Sequence, residues 1–342
     1  MVPPDLRPSA CGGPVDICLW KSRVAHRPVL RDEALNALQL RNGGVYVDAT
    51  FGGGGYSAAM LDAAVCRVIA FDRDPEAMAR SAALEARWPG FRFVHAPFGA
   101  MRDALAALGI DAVDGVVFDL GVSSYQLDQP ERGFSFQADG PLDMRMSSEG
   151  PTAADLVAAL DEGELARVLA DLGGEPQARA VARAIVRARS EAPIASTSAL
   201  AAIVARAKGG RQGPRDPATR TFQALRMAVN DEAGELERGL AAAEAVLRPG
   251  GRLAVVSFHS GEDAAVKDFV NRGGGRQAQP SRHLPPVTHA APRWRWVKSG
   301  VTKPGEAEVA ANPRARSARL RVAERLGEDA TSAEDGPWPL AA

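Results

Sequence analysis

Three aspartates stand where buried apolar runs stop and small residues begin. Asp48 precedes "ATFGGGG", Asp72 lies in "FDRDP", and Asp119 lies in "FDLGVSSYQ". Four consecutive glycines, Gly52 to Gly55, let a backbone pass against a ligand where a Cβ would clash. Such turns between strand and helix serve several nucleotide-like ligands, so the motif alone names none of them. Asp72 follows Gly52 by twenty residues, and a carboxylate so placed can accept both hydroxyls of a ribose.

Two details separate the candidate ligands. A dinucleotide fingerprint ends in Gly or Ala, whereas Gly52-x-Gly54-x-x reaches Ser57. Asp48 opens the turn with an acid, which suits the cationic methionine end of S-adenosylmethionine better than a pyrophosphate. Asp119 then falls beside the methyl donor. The exocyclic amine of a nucleobase is a poor nucleophile because its lone pair is conjugated into the ring. A carboxylate accepting its N–H protons orients the nitrogen and raises its electron density. The alternative for Asp119 is contact with cofactor only. His259 ends a strand on the same rim and is open to a proton-handling or a structural role. Asp143 and Arg145 in "PLDMRM" are open to holding a target base or the loop itself.

The elements that must position these residues alternate. "GGVYVDAT", "RVIAFDRDP", "FRFVHAPF", "DGVVFDLG" and "GGRLAVVSFHS" read as strands, with helical runs between them. Continuous apolar runs suit strands buried on both faces. The alternation predicts an α/β fold, a doubly wound parallel sheet whose ligands bind at the carboxyl ends of the strands. From Thr152 to Lys208 the pattern is helical only, broken at Gly173–Gly174 and Pro193. "TRTFQALRMAVNDEAGELERGLAAAEAVL" reads as one long helix returning to the sheet. Between Phe118 and Met146 no periodicity appears, although Tyr125, Leu127, Phe134, Phe136, Leu142, Met144 and Met146 make it too apolar for a disordered linker.

The 342 residues, 46% apolar and 24% charged, suffice for two domains or one domain with a large insertion. The net charge of −1 selects no partner. Three scattered cysteines, Cys11, Cys18 and Cys66, argue for reduced thiols rather than disulfides or a zinc site. No apolar run is long enough to span a membrane and no signal peptide is evident, which together predict a cytoplasmic protein. Between Arg276 and Arg325, eleven Lys/Arg face three Glu, and "PRWRWVK" interleaves Trp294 and Trp296 with Arg293, Arg295 and Lys298. That stretch is expected to touch RNA, with phosphate on the cations and bases on the indoles. The arginines of "NPRARSARLR" are open to the same role or to ion pairs within the fold.

"HRPVLRDEAL", "DATFGGGGYS", "FDRDP", "FDLGVSSYQLDQPERGFSFQADGPLDMRM", "PATRTFQALRMAVNDE", "GGRLAVVSFHSGEDAAVKDF" and "NPRARSARLRVAER" together resemble the bacterial RsmH (MraW) family, in order from His26 to Arg325. The resemblance implies a class I S-adenosylmethionine-dependent methyltransferase, a Rossmann-like sheet with an inserted all-helical domain. It implies methylation of N4 of a cytidine in the decoding region of small-subunit (16S) ribosomal RNA, within the small ribosomal subunit. Cofactor contacts carried over are Gly54, Gly55, Tyr56, Asp72, Phe98, Asp119 and Gln126, with Asp119 also the catalytic candidate and no metal. The expected divisions are a tail over 1–25, the methyltransferase domain over 26–146 and 216–327, the helical insertion over 147–215, and a tail over 328–342. The chain departs from the family pattern at Gly53, normally a longer and often basic residue, Tyr56 for His, Tyr125 for Pro, Pro176 for Glu and Gly261 for Leu. Competing readings are a DNA amino-methyltransferase, a nucleotide-dependent oxidoreductase, and a non-catalytic RNA-binding assembly factor. The first would carry a proline-rich turn after the fourth strand, which "DLGVSS" lacks.

Overall fold

The computed structural model describes residues 27–210, 216–274 and 291–327. The expected tails, Cys11, Cys18, Arg276 and Arg282 lie outside the described residues. Five strands, β1 (Val45–Asp48), β2 (Arg67–Asp72), β3 (Phe91–His95), β4 (Val113–Asp119) and β5 (Leu247–Ser257), run parallel. The sheet order is β3-β2-β1-β4-β5-β7-β6, with β7 (Arg319–Arg325) antiparallel to β5 and β6 (Trp294–Trp296) antiparallel to β7. The connecting helices are α1 (Arg31–Leu38), α2 (Gly55–Ala63), α3 (Pro75–Arg87) and α4 (Met101–Ala107). Alternate residues of one strand feed two cores. Ile69 and Phe71 of β2 join one, and Val68 and Ala70 join the other. This is why the strands read as unbroken apolar runs.

Because β1 to β5 run parallel, their carboxyl ends share one rim, and the strand order reverses between β1 and β4, where a ligand crevice opens. Asp74 caps α3 by accepting from the Glu76 N–H, with Pro75 in the first turn. The pattern Asp-Pro thus stops β2 and starts α3 in two residues.

Four structural features differ from the sequence expectations. The long helix after residue 216 is two, α10 (Thr219–Val229) and α11 (Glu232–Val246). Asp231 between them adopts a left-handed φ of 44°. The break is held by Asn230, whose amide donates to the Met144 and Arg226 carbonyls and accepts from the Met146 N–H. The aperiodic stretch contains a short helix, α5 (Ser124–Asp128), with a reciprocal cap between Ser123 and Gln126. The third difference is the pair β6 and β7, which complete the sheet. The fourth follows from it. Trp294, expected to face RNA, is 2% exposed and packs edge-on to Phe269. Trp296 donates to Asn271 and lies under the Arg321 guanidinium. Arg293 pairs with Glu244, Arg295 with Glu324, Arg319 and Arg321 with Asp263, and Arg314 with Asp128. Apart from Arg314, which reaches α5, these side chains finish the sheet edge rather than offer a stacking platform.

Helices α6 (Ala153–Ala159), α7 (Glu162–Asp171), α8 (Ala178–Glu191) and α9 (Thr197–Ala207) build a third core together with α10. Phe134, Leu142, Met144 and Met146 of the aperiodic stretch are buried in it. Of the remaining helices, α12 (Ser260–Gly273) packs on β5, β6 and β7, and α13 (Glu306–Ala311) packs on the turn Pro313–Ser317.

Candidate active site

A cavity of about 480 Å³ opens at the carboxyl rim, lined by residues from Pro28 to Arg314. Its size is that of a cofactor or nucleoside pocket. Gly52, Gly53, Gly55, Tyr56, Asp72, Phe98, Asp119 and Gln126 all border it. Gly54, expected among the cofactor contacts, does not. Its φ of 78° and its packing explain the glycine instead, since a Cβ there would lie 2.8 Å from the Phe51 ring.

Asp72 accepts the Gly52 N–H on one oxygen and the Asp74 N–H on the other, each at 2.8 Å. It thereby fixes the glycine turn, and each oxygen keeps a second lone pair for a ligand hydroxyl. Burial pushes its carboxyl up, opposed by those two backbone donors. Asp48 is fully buried and sits behind the turn, accepting from the Thr50 N–H and from both the N–H and the hydroxyl of Ser57. It does not reach the cavity, so the expected partnership with a cationic ligand gives way to a structural role. Ser57, which broke the dinucleotide pattern, is the partner that ties Asp48 to α2. Burial raises the Asp48 carboxyl to about 6.

Asp119 ends β4, and its N–H donates to the Thr50 hydroxyl at 2.7 Å. Its Oδ1 is buried with no hydrogen-bond partner among the described residues. Desolvation, then the charges of Asp48, Glu262 and Glu308, hold its carboxyl well above the usual range. A buried acceptor without a donor is costly unless something supplies one. Tyr56 donates to the Val29 carbonyl and is buried, clamping the segment before α1 over the turn. Phe98 packs edge-on to Phe118.

Gln126 is held from both ends. Its carbonyl accepts the Ser123 N–H, and its amide donates to Asp74 at 2.9 Å. Asp74 is 1% exposed and also receives Arg132, whose other nitrogen donates to the Arg145 and Met146 carbonyls. The aperiodic loop is ordered because it is bonded to the turn that carries Asp72. Asp143 and Arg145 form a two-point ion pair, and Arg145 also reaches the Ser148 and Gly150 carbonyls. Neither borders the cavity, and both hold the loop.

His259 caps α12. Its Nδ1 accepts the Glu262 N–H, and its Nε2 lies 3.1 Å from Glu262 Oε1. Glu262 in turn accepts from the Phe258 and His259 N–H groups. As the cap of α12, His259 has a structural role on the rim, while its Nε2 faces Glu262 without making a hydrogen bond among the described residues. A side chain at Gly261 would sit 3.2 Å from that ring, so the glycine leaves the cap room. Glu232 stands within 4.8 Å of His259 and Glu262, and Arg226 donates to it twice, at 2.7 and 2.8 Å. Sequence reasoning missed Asp74, Arg132, Arg226, Glu232 and Glu262. Only Asp74 carried a local signal, as the cap before Pro75.

The sequence signature of the MraW methylase family matches residues 23–326. The "Ribosomal RNA small subunit methyltransferase H" of Acidiphilium cryptum is 55% identical over 307 residues, 89% of this chain and 98% of its own length. That of Rhodospirillum centenum is 58% identical over 308 residues, 89% and 93% of the two chains. Among solved structures, an rRNA methylase from Streptococcus thermophilus is similar at 11% identity and a TM-score of 0.40, covering 89% of this chain and 99% of that one.

Proposed function

The chain belongs to the MraW methylase family, and from that premise we propose that it methylates N4 of a cytidine in the decoding region of small-subunit ribosomal RNA, within the small ribosomal subunit. The methyl donor is S-adenosylmethionine. The residues present fit that cofactor. Asp72 has acceptors for a ribose, the glycine turn brings backbone to the cavity without side chains, and Asp119 offers an unpartnered acceptor beyond it. We place the activity in the cytoplasm, where ribosomal particles are built. No described helix is long and apolar enough to cross a membrane.

The observation that carries the reading is the buried, unsatisfied oxygen of Asp119. An exocyclic amine brings two N–H donors, and docking one on Asp119 satisfies the orphan. It also aims the nitrogen and favours the charge that develops on it as a C–N bond forms. When bound, S-adenosylmethionine supplies an electrophilic methyl on a cationic sulfur. The nitrogen loses one proton on alkylation, and water takes it. The target base has to leave its stack to enter a cavity of this depth.

The test is transfer of labelled methyl to small ribosomal subunits lacking the modification, with naked rRNA alongside, followed by nucleoside mass spectrometry. Label as N4-methylcytidine, greater on the particle, is the expected result. Label on another base or none on either substrate, with cofactor bound, would reject the N4-cytidine assignment.

A further inference from the structure

We propose that Glu235 is the residue that reads the purine amine of the cofactor, an assignment that rests on the S-adenosylmethionine reading above. With Asp72 on the ribose, the base extends past the end of β2. The cavity wall there is Phe71, Arg73, Pro97, Phe98 and Glu235. The end of β3 reads His95-Ala96-Pro97-Phe98 and carries no carboxylate of its own. The acceptor comes from α11, more than a hundred residues on.

Glu235 is 4% exposed. One oxygen accepts the Gly99 N–H at 2.7 Å, and the other accepts Arg238 at 2.9 and 3.2 Å. The oxygen bonded to Gly99 retains a lone pair, whereas the other is filled by the two Arg238 donors, and an ionised carboxylate only accepts. Four residues along the same helix face, Gly239 lets α11 come close. A Cβ there would lie 2.4 Å from the Phe98 ring. The helix therefore sets a flat aromatic wall and places an acceptor at its edge, joined to that wall through the Gly99 N–H. Adenine matches this frame. Its 6-amino group offers two N–H donors, whereas its ring nitrogens only accept. A site built to bond an N–H rejects an analogue lacking it, because the carboxylate is left short of a donor.

Calorimetry on the intact protein tests this with S-adenosylhomocysteine and its analogue bearing hydrogen in place of the 6-amino group. The analogue is expected to bind about 10-fold or more weakly. Glu235→Gln keeps the shape but replaces the charged acceptor with a neutral amide oxygen, so a bond to the amine loses its charge assistance. It is expected to shrink that ratio at least about threefold, whatever it does to both affinities together. If the Gln variant does not fold, Glu235→Asp, which withdraws the carboxylate by one methylene, is read for the same ratio. Equal affinities in the unmodified protein, or an unchanged ratio in a folded variant, would overturn the assignment while leaving the cofactor in place. Failure of S-adenosylhomocysteine itself to bind would overturn the cofactor reading and the assignment with it.

Discussion

Asp119 and Asp48 both end parallel strands, but Asp48 is fully buried and Asp119 only partly so, and their surroundings differ. Asp48 has three donors and no opening, so it holds β1 to α2. Asp119 has an orphaned oxygen and the cavity in front of it. Asp119→Asn keeps the volume and turns part of the acceptor into a donor. It should lower kcat by about 100-fold or more, with S-adenosylhomocysteine affinity within about threefold by calorimetry. Equal losses in both would make Asp119 a binding residue only. Asp48 yields a pH signature. Its folded pKa of about 6 lies above the ordinary 3.8, so between those values the folded state keeps a proton that the unfolded state has released. Stability from this residue is full below about pH 3.8 and is lost as pH rises to about 6, by about 3 kcal/mol. Asp72 and Asp119 slope the same way. The comparison is therefore urea unfolding at pH 4 and 6.5 for the unmodified protein and for Asp48→Asn, whose fall across that window should be smaller.

At the scale of elements, two departures from the family pattern turn out to be neighbours. A Cβ on Gly53 would lie 2.7 Å from the Tyr125 ring, so the tyrosine of α5 fills the space that a longer residue at 53 would need. Arg80 of α3 lies over the same ring, 4.7 Å from its centroid, and donates to the Gly52 carbonyl. Glycine turn, loop helix and α3 thus form one packed unit, with Asp74 and Arg132 bonding it from the other side. Gly53→Lys should cost roughly 1–3 kcal/mol through overpacking and weaken cofactor binding. Adding Tyr125→Pro, at a first-turn position where the lost N–H is free of an intrahelical role, should recover much of it. A double-mutant cycle by thermal unfolding and calorimetry measures the coupling. Additive effects would mean that the two positions vary independently.

Across the whole molecule, several described arginines of the basic carboxyl-terminal region are tied into the fold. β7 alternates Leu320 and Val322 inward with Arg319 and Arg321 outward, and those arginines converge on Asp263 of α12. Trp294→Ala should destabilise the protein by about 3–5 kcal/mol in urea, while the KM for ribosomal substrate stays unchanged at temperatures where the variant is folded. A raised KM with stability intact would return the tryptophan to the RNA surface. The helical insertion is likewise not a separate bead. Its core takes Phe134 to Met146 from one side and Phe222 to Leu225 from the other, and Asn230 and Arg73 join it to the sheet.

The sequence by itself determined what short-range chemistry encodes. Strands β1 to β5 are apolar runs buried on both faces, their ends are marked by Asp, Gly and Pro, and the glycine turn, Asp72 and Asp119 fall on one rim because strands joined by helical crossovers run parallel. Tertiary structure decided every pairing between residues distant in the chain. β6 is three residues long and β7 carries arginines on its outer face, so both read as basic linker until Glu244, Asp263 and Glu324 are brought beside them. The break at Asn230 lies in a helical pattern, and its cause is the backbone of residues 144–146. Glu235 looks like one more charge on a solvated helix face, and only the approach of Gly239 to Phe98 turns it inward. Local propensity needs only neighbours a few residues away, whereas burial, ion pairing and the orphaned oxygen of Asp119 exist only after the chain has closed on itself.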